Sequence, residues 1–456
     1  MTARGSALAQ RDIAYHLHPQ TNLRLHEEVG PLLMERGEGI HVFDEQGRRY
    51  IEGMSGLWCA TLGFSQPRLA EAAYAQLLKL PYQQTFAHRS HGPAAELAAL
   101  LVSRAPAGLT KAVFQSSGSE AVDTAIKFVR YYHNAIGKPA KTRLIARQRS
   151  YHGTTLAAAS LTGLPNMHKG WGEPLADVIH VRCPHLYRQG LPGESEEAFA
   201  SRLAEELEQT ILEAGPDTIG AFFAEPVMGT GGVILPPAGY FAKVQAVLRK
   251  YDILMVADEV ICGFGRTGHY WGCDAMGIEP DMLTCAKGLS AAFQPISALL
   301  VSERIYQVIA DQSQALGGLG HGYTYGGHPV AAAVALETLK IYDELDIVAH
   351  VRDVAPAFQA GIRALADHPL VGEARGIGLM AALEFVADKD SRAPFPAELK
   401  IAQQVSNALQ RNGILLRALG DTLVMAPPLI VDGEQIQTIL NALAQALDEV
   451  LAGVRP

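Results

Sequence analysis

Short apolar runs that alternate with helical stretches predict an α/β protein built on a mostly parallel sheet covered on both faces. Two observations carry this. The runs Ala112-Val113-Phe114, Leu144-Ile145-Ala146, Ile219 to Ala224, Ile253 to Ala257, Met282 to Ala286 and Ser297 to Val301 each close on a polar or glycine-rich turn, and helical segments at 119 to 136, 196 to 214 and 239 to 251 lie between them. The chain also has 456 residues, 48% of them hydrophobic. That is too long for one simple core, so two packed lobes are expected.

The elements follow in order. Residues 1 to about 35 read as irregular, because Pro19 and Pro31 interrupt any long helix. Ile40 to Asp44 alternates, turns at Glu45-Gln46-Gly47 and returns through Arg48 to Ile51, which is a hairpin. Alanine- and leucine-rich helices are expected at 68 to 80 and 93 to 104, ahead of the strand and helix alternation. A helix from Val330 to Leu345 leads into a last, α+β lobe, with strands at Gly378 to Phe385 and Ile414 to Leu416 and a closing helix from Gly433.

Charge and cysteine usage narrow the function. A formal net charge of −9 argues against nucleic acid or an anionic membrane as partner, since either favours a basic face. The five cysteines, Cys59, Cys183, Cys262, Cys273 and Cys285, are odd in number and form no C-x-x-C pair. This is the usage of a reducing compartment, with neither disulfides nor a metal site expected. Residues 1 to 11 lack an apolar signal core, and no run reaches the ~18 apolar residues of a spanning helix, so a cytoplasmic protein is expected.

Lys287 carries the chemistry. It closes the apolar run Met282 to Ala286, and a buried amine has its pKa driven down, which makes it a nucleophile. A strand-end lysine alone is more often one that snorkels to solvent. Here, however, the run Ile253 to Ala257 ends in Asp258 and Glu259, at the same edge of a parallel sheet. An amine and a carboxylate so placed suit pyridoxal phosphate, the lysine forming a Schiff base and the aspartate holding the pyridine nitrogen protonated. Ser116-Ser117-Gly118-Ser119-Glu120 follows a strand and opens a helix, whose free N–H groups can hold a phosphate. Tyr151-His152-Gly153, after another strand, offers a ring to stack on a flat cofactor. Gly263-Phe264-Gly265-Arg266-Thr267-Gly268 matches the dinucleotide pattern G-x-G-x-x-G, but His269 to Gly272 is a poor helix start and no acidic strand end lies about 20 residues on, which argues against that reading.

These pieces stand in the order of a known family. Val256 to Gly268 resembles the signature of the class III pyridoxal-phosphate aminotransferases, and so do Ser117-Gly118-Ser119-Glu120, Tyr151-His152-Gly153, Glu225-Pro226-Val227, Ala286-Lys287-Gly288-Leu289 and His321 to Tyr325. The resemblance runs from about residue 20 to 450. It implies a fold type I enzyme with a large cofactor-binding domain over 66–330 and a small α+β domain over 331–456, joined by an N-terminal segment over 1–65 that also reaches the pocket. A homodimer with shared active sites, or a tetramer of such dimers, is implied as well.

Residue by residue, the resemblance makes Lys287 the Schiff-base lysine and proton carrier, and Asp258 the partner of the pyridinium. Ser117, Gly118 and Ser119 hold the phosphate, with Thr324 reaching the neighbouring subunit's cofactor. Tyr151 and Val260 flank the ring, His152 lies beside them, and Glu225 orders the loop near the ring hydroxyl. Within the family the chain is similar to the amine and ω-amino acid:pyruvate branch, the omega-transaminases: Leu57, Trp58 and, from the partner subunit, Phe86 match the pocket walls, and Arg417 matches a mobile arginine that grips the carboxylate of pyruvate and swings away for a plain amine. Thr230 stands where enzymes that use glutamate carry a carboxylate, which speaks against 2-oxoglutarate as acceptor. Two departures bear on loop shape, Gly326 at a position often held by serine and Ala291-Ala292 where glycine is frequent. Two alternatives share the motifs: an aminomutase or decarboxylase of the class, and a pyridoxal-binding protein without activity. The strand-end carboxylate and Arg417 speak against the second.

Overall fold

The computed structural model describes residues 5–172, 175 and 177–454. In chain order the strands are β1 (Met34–Glu38), β2 (His41–Asp44), β3 (Arg49–Glu52), β4 (Leu109–Gln115), β5 (Arg143–Arg147), β6 (Val178–Val181), β7 (Ile219–Ala224), β8 (Leu254–Asp258), β9 (Met282–Cys285), β10 (Ser297–Ser302), β11 (Val371–Ile377), β12 (Met380–Phe385), β13 (Ile414–Leu415), β14 (Arg417–Leu419) and β15 (Thr422–Met425). Seven of them form the central sheet in the order β4-β10-β9-β8-β7-β5-β6. Only β10 runs against its neighbours, β4 and β9. The other pairs are parallel, as expected.

Burial explains why β7, β8 and β9 sit centrally: each is buried at every residue, as a strand covered on both faces must be. Successive side chains point to opposite faces. Phe223 and Val256 pack beneath the helix Gly118–Ala135, while Phe222, Met255 and Leu283 join the other face with the helices Glu196–Ala214 and Tyr240–Lys250. Truncating Phe222 or Phe223 to alanine would cost about 3–5 kcal/mol.

Two smaller sheets complete the molecule. β1-β2-β3 continues into β13, which pairs parallel with β3, so the N-terminal hairpin is closed by the C-terminal segment. β11-β12-β15-β14 is antiparallel throughout. The run Gly263 to Gly268 forms turns instead of a helix start, and its Arg266 is a buried tie. That guanidinium donates to the carbonyls of Leu379 (2.9 Å) and Pro427 (2.6 Å) and to Ser55 Oγ (3.2 Å), and burial pulls its pKa down to about 10. No helix among the described residues is long and apolar enough to cross a membrane.

Several expectations need correction. The first 35 residues are not irregular: they hold the helices Ala7–Tyr15 and Leu23–Val29, whose ends are capped by the side chains of Ser6 and Asn22. Pro19 and Pro31 lie outside both. The strands β6, β11, β14 and β15 and the helices Glu303–Leu316 and Ile347–Ala364 were not anticipated. β14 and β15 are too short, at 3 and 4 residues, for periodicity to reveal.

Candidate active site

A cavity of about 860 Å³ opens where the central parallel strands end. This is where an open α/β sheet presents its ligand site. β8 delivers Asp258 there, the turn after β9 delivers Lys287, and Glu225 follows β7.

Lys287 faces the cavity from a left-handed backbone, φ +47°, a conformation that costs a non-glycine residue energy and clusters at functional sites. Burial holds its amine below the ordinary lysine range, and its side chain makes no hydrogen bond among the described residues. Ala291 and Ala292 just beyond also have positive φ, +49° and +71°, a backbone that suits glycine better than alanine.

Asp258 is fully engaged. Its Oδ2 accepts from His152 Nδ1 at 2.7 Å and its Oδ1 from the Val260 N–H at 3.1 Å. His152 therefore braces Asp258, a contact that the sequence left unspecified. Glu225 is likewise engaged at both oxygens, by the N–H groups of Tyr151 (3.0 Å) and Gly229 (2.9 Å), and burial raises its pKa. The carboxylate thus joins the aromatic segment to the glycine-rich loop.

The phosphate-capable helix start divides its labour. Ser117 is the cap of the helix Gly118–Ala135: its Oγ accepts from the Glu120 N–H, and its own N–H donates to Glu120 Oε2 at 3.1 Å. Ser117 does not line the cavity, whereas Gly118 and Ser119 do. A Cβ on Gly118 would meet both Val260 methyls at 3.2 Å, so helix start and Val260 already touch. Gly153 admits no side chain at all, since its φ is +132° and a Cβ would lie 2.5 Å from Ser119 Oγ. With a buried amine, a braced carboxylate, open N–H groups at a helix start and the Tyr151 ring in one cavity, the residues fit pyridoxal phosphate.

The substrate side is less uniform. Leu57 and Trp58 both line the cavity, Leu57 exposed and Trp58 packed against Met54, Val227 and Ile261. Thr230 lines it from the glycine-rich loop and Arg417 from β14. Arg417 is half-buried and its side chain makes no hydrogen bond or ion pair among the described residues; burial lowers its pKa, opposed by the nearby Tyr151. Arg149, which sequence reasoning missed, also lines the cavity, but it donates to the Gly231 carbonyl at 2.9 Å. Its position two residues before Tyr151 was the available signal. Phe86 and Thr324 lie outside this chain's cavity, on an exposed patch where the Tyr82 hydroxyl donates to the Thr324 carbonyl at 2.8 Å. Gly326 beside them has no room for serine as the backbone stands, because a Cβ would lie 2.6 Å from the Phe114 carbonyl oxygen.

Comparison with known proteins agrees with this geometry. The family model for class-III aminotransferases matches residues 25–447. Gamma aminobutyrate transaminase 1 of Solanum lycopersicum, a mitochondrial protein, is 50% identical over 423 residues, covering 92% of this chain and 82% of the relative. A thermostable omega transaminase 4-fold mutant from Pseudomonas jessenii superposes with a TM-score of 0.98 at 52% identity, over 99% of this chain and 100% of that one. The omega transaminase of the same organism in complex with PMP gives a TM-score of 0.97 at 52% identity, over 98% and 99% of the two chains. A thermostable omega transaminase variant W58M/F86L/R417L, engineered for asymmetric synthesis of enantiopure bulky amines, also gives 0.97 at 52% identity, over 98% of this chain and 100% of that one. Fold, cavity and kinship together make this chain a member of the class III aminotransferases, enzymes that transfer amino groups with pyridoxal 5′-phosphate.

Proposed function

We propose that this aminotransferase moves an amino group from a primary amine or ω-amino acid to pyruvate. The observation that carries the proposal is Arg417, a guanidinium lining the cavity with no partner among the described residues. One uncommitted guanidinium matches one carboxylate, and its planar fork grips that group in a bidentate pair. Pyruvate, alanine and an ω-amino acid each bring one. Arg149 is tied by one N–H to the Gly231 carbonyl and Thr230 adds no charge, so Arg417 is the cavity guanidinium that is free of the fold and able to move onto a carboxylate.

In this reading Gly118 and Ser119 would hold the cofactor's phosphate, Tyr151 and Val260 would flank its ring, and the partner subunit's Thr324 would complete the phosphate site. Pyridoxal phosphate supplies an aldehyde that takes up the amino group and a ring that withdraws electrons from the substrate carbon. Lys287 carries the proton: burial favours its neutral amine, which accepts a proton at Nζ and returns it. Asp258, fixed by His152 and the Val260 N–H, holds a negative group at the cavity floor without having to move. The partner subunit's Phe86 would close the pocket wall opposite Trp58. The omega transaminase engineered for bulky amines is changed at 58, 86 and 417, numbers that in this chain are Trp58, Phe86 and Arg417, which supports these three as the residues that read the substrate.

The 4-aminobutyrate named for the curated relatives is itself an ω-amino acid, and it is the first donor to try. A panel of amines and ω-amino acids, each assayed with pyruvate and with 2-oxoglutarate, tests the proposal. Turnover is expected with pyruvate and much less with 2-oxoglutarate. A preference for 2-oxoglutarate would overturn the acceptor assignment.

A further inference from the structure

Away from the cavity, the N-terminal arm gathers three imidazoles around one carboxylate. Asp12 and His16 stand four residues apart, at the end of the helix Ala7–Tyr15 and on its cap, and so share a face. His18 follows in the loop, and His26 comes from the next helix, Leu23–Val29. His16 Nδ1 lies 3.2 Å from Asp12 Oδ1, His18 Nε2 2.6 Å from Asp12 Oδ2, and His26 Nε2 3.4 Å from the same Oδ2. The rings lie side by side, with centroids 4.3 Å apart for His16 and His18 and 4.1 Å for His18 and His26. The ligand atoms of Asp12, His16 and His18 all fall within 4.8 Å of one another.

Hydrogen bonding alone leaves this group unfinished. Asp12 serves His16 with one oxygen and His18 with the other. His26 is 9% exposed, and its Nε2, turned toward the same carboxylate, is buried and makes no hydrogen bond. A buried polar nitrogen without a partner costs on the order of 1–3 kcal/mol. A cation bound at about 2.0–2.1 Å from each donor would set neighbouring donors about 3.3 Å apart: the 3.2 Å between Asp12 and His16 already matches, the 2.6 Å between Asp12 and His18 would have to open, and His26, 3.4 Å from the same carboxylate, would close in as the fourth donor. Three imidazoles and a carboxylate, without thiolate, suit zinc or its neighbours nickel and copper, and are a poor match for magnesium or calcium. The other His and carboxylate group among the described residues, His185 with Glu373 and Glu384, already has its charge met by Arg375 and Arg188 and needs no ion.

We propose that Asp12, His16, His18 and His26 form a binding site for one zinc-class divalent ion, which ties the two N-terminal helices together. Cysteine spacing does not reveal the site, because its ligands are an aspartate and three histidines spread over a helix, its cap, a loop and the next helix. Its consequence lies in the loop between them. Gln20, in that loop, lines the mouth of the cavity, with its Nε2 3.3 Å from Met167 Sδ. Binding the ion would order the loop that holds Gln20 there.

The test uses tag-free holoenzyme, stripped of metal with a chelator and titrated with Zn²⁺ by calorimetry, and with Co²⁺ followed by visible absorption. One ion per chain is expected, with affinity falling more than about tenfold in Asp12→Asn, His18→Gln and His26→Gln. Zn²⁺ should also slow amide exchange over residues 5–29 in the parent protein and not in the variants. Aminotransferase activity in the absence of zinc checks that each variant folds. Absence of stoichiometric binding, or binding equal in parent and variants, would overturn the proposal and leave the cluster as histidines sharing a carboxylate.

Discussion

At the floor of the cavity Asp258 and Glu225 are 4% and 2% exposed, and all four of their oxygens accept hydrogen bonds from this chain. At the rim, Leu57 is 51% exposed, and Arg417 makes no bond with its side chain among the described residues. The floor hangs from the ends of three fully buried strands, so its geometry is set before any ligand arrives. The rim is collected from a turn, a short hairpin and a glycine-rich loop, which leaves it adjustable. Chemistry common to every substrate belongs to the rigid part, and the choice of substrate belongs to the adjustable one.

The largest effect should follow from breaking the floor at Lys287. Lys287→Ala removes the proton carrier, a loss of about 10² to 10⁴ in rate from acid–base catalysis alone. Measured turnover should be nearly abolished with every donor, while the melting temperature holds or rises, since a costly buried amine is gone. Near-normal turnover would remove Lys287 from the mechanism. Asp258→Asn comes next: activity should fall by orders of magnitude with both half-reactions affected alike, because the floor serves all substrates. A variant that unfolds yet keeps specific activity would make Asp258 structural.

Rim changes should discriminate between substrates where floor changes do not. Arg417→Ala should weaken the half-reaction with pyruvate or alanine by about one to two decades, corresponding to roughly 1.5–3 kcal/mol for a charge-assisted pair. The half-reaction with a carboxylate-free amine should change much less. Arg149→Gln serves as the contrast, because it loosens the loop through Gly231 and should therefore depress both half-reactions by similar, smaller factors. Single-turnover spectra of the two half-reactions measure the split. Equal losses in Arg417→Ala would mean that it supports the fold and reads no carboxylate.

The smallest effect concerns Glu52, whose carboxylate accepts the Gly56 N–H and braces the turn that carries Leu57 and Trp58. Burial pushes its pKa up to about 7. A carboxyl raised above its unfolded value of about 4.5 keeps its proton in the folded state, so its contribution is full below that pH and is lost as pH rises through about 7. Wild type should therefore lose more stability than Glu52→Gln between pH 5 and 8, by at most about 1.4 kcal/mol per pH unit. Parallel melting curves across that range would show the carboxyl to be unimportant.

Much of the floor was legible in the chain itself. Lys287 and Asp258 each end an apolar run, and a strand that closes on a charge announces a functional edge. Ser117 was legible as part of a helix start, but its duty as a cap was not separable from phosphate binding until Glu120 was seen to close the box. His152 and Arg149 were harder. Their work depends on which side chain lies opposite, Asp258 across 106 positions and Gly231 across 82.

The sequence by itself determined the alternation of strands and helices, the parallel sheet, the chemistry at its edge and the kinship of the chain, because these rest on local periodicity and on short motifs. Tertiary structure alone decided that β10 runs against its neighbours, that the N-terminal hairpin is closed by β13, that Arg266 ties Ser55 to Leu379 and Pro427, and that three histidines of the N-terminal arm meet at Asp12. The physical reason is the same in each case. A direction of pairing, a buried guanidinium or a cluster of imidazoles is fixed by partners that are distant along the chain, and no local pattern records which partner the folded core will bring near.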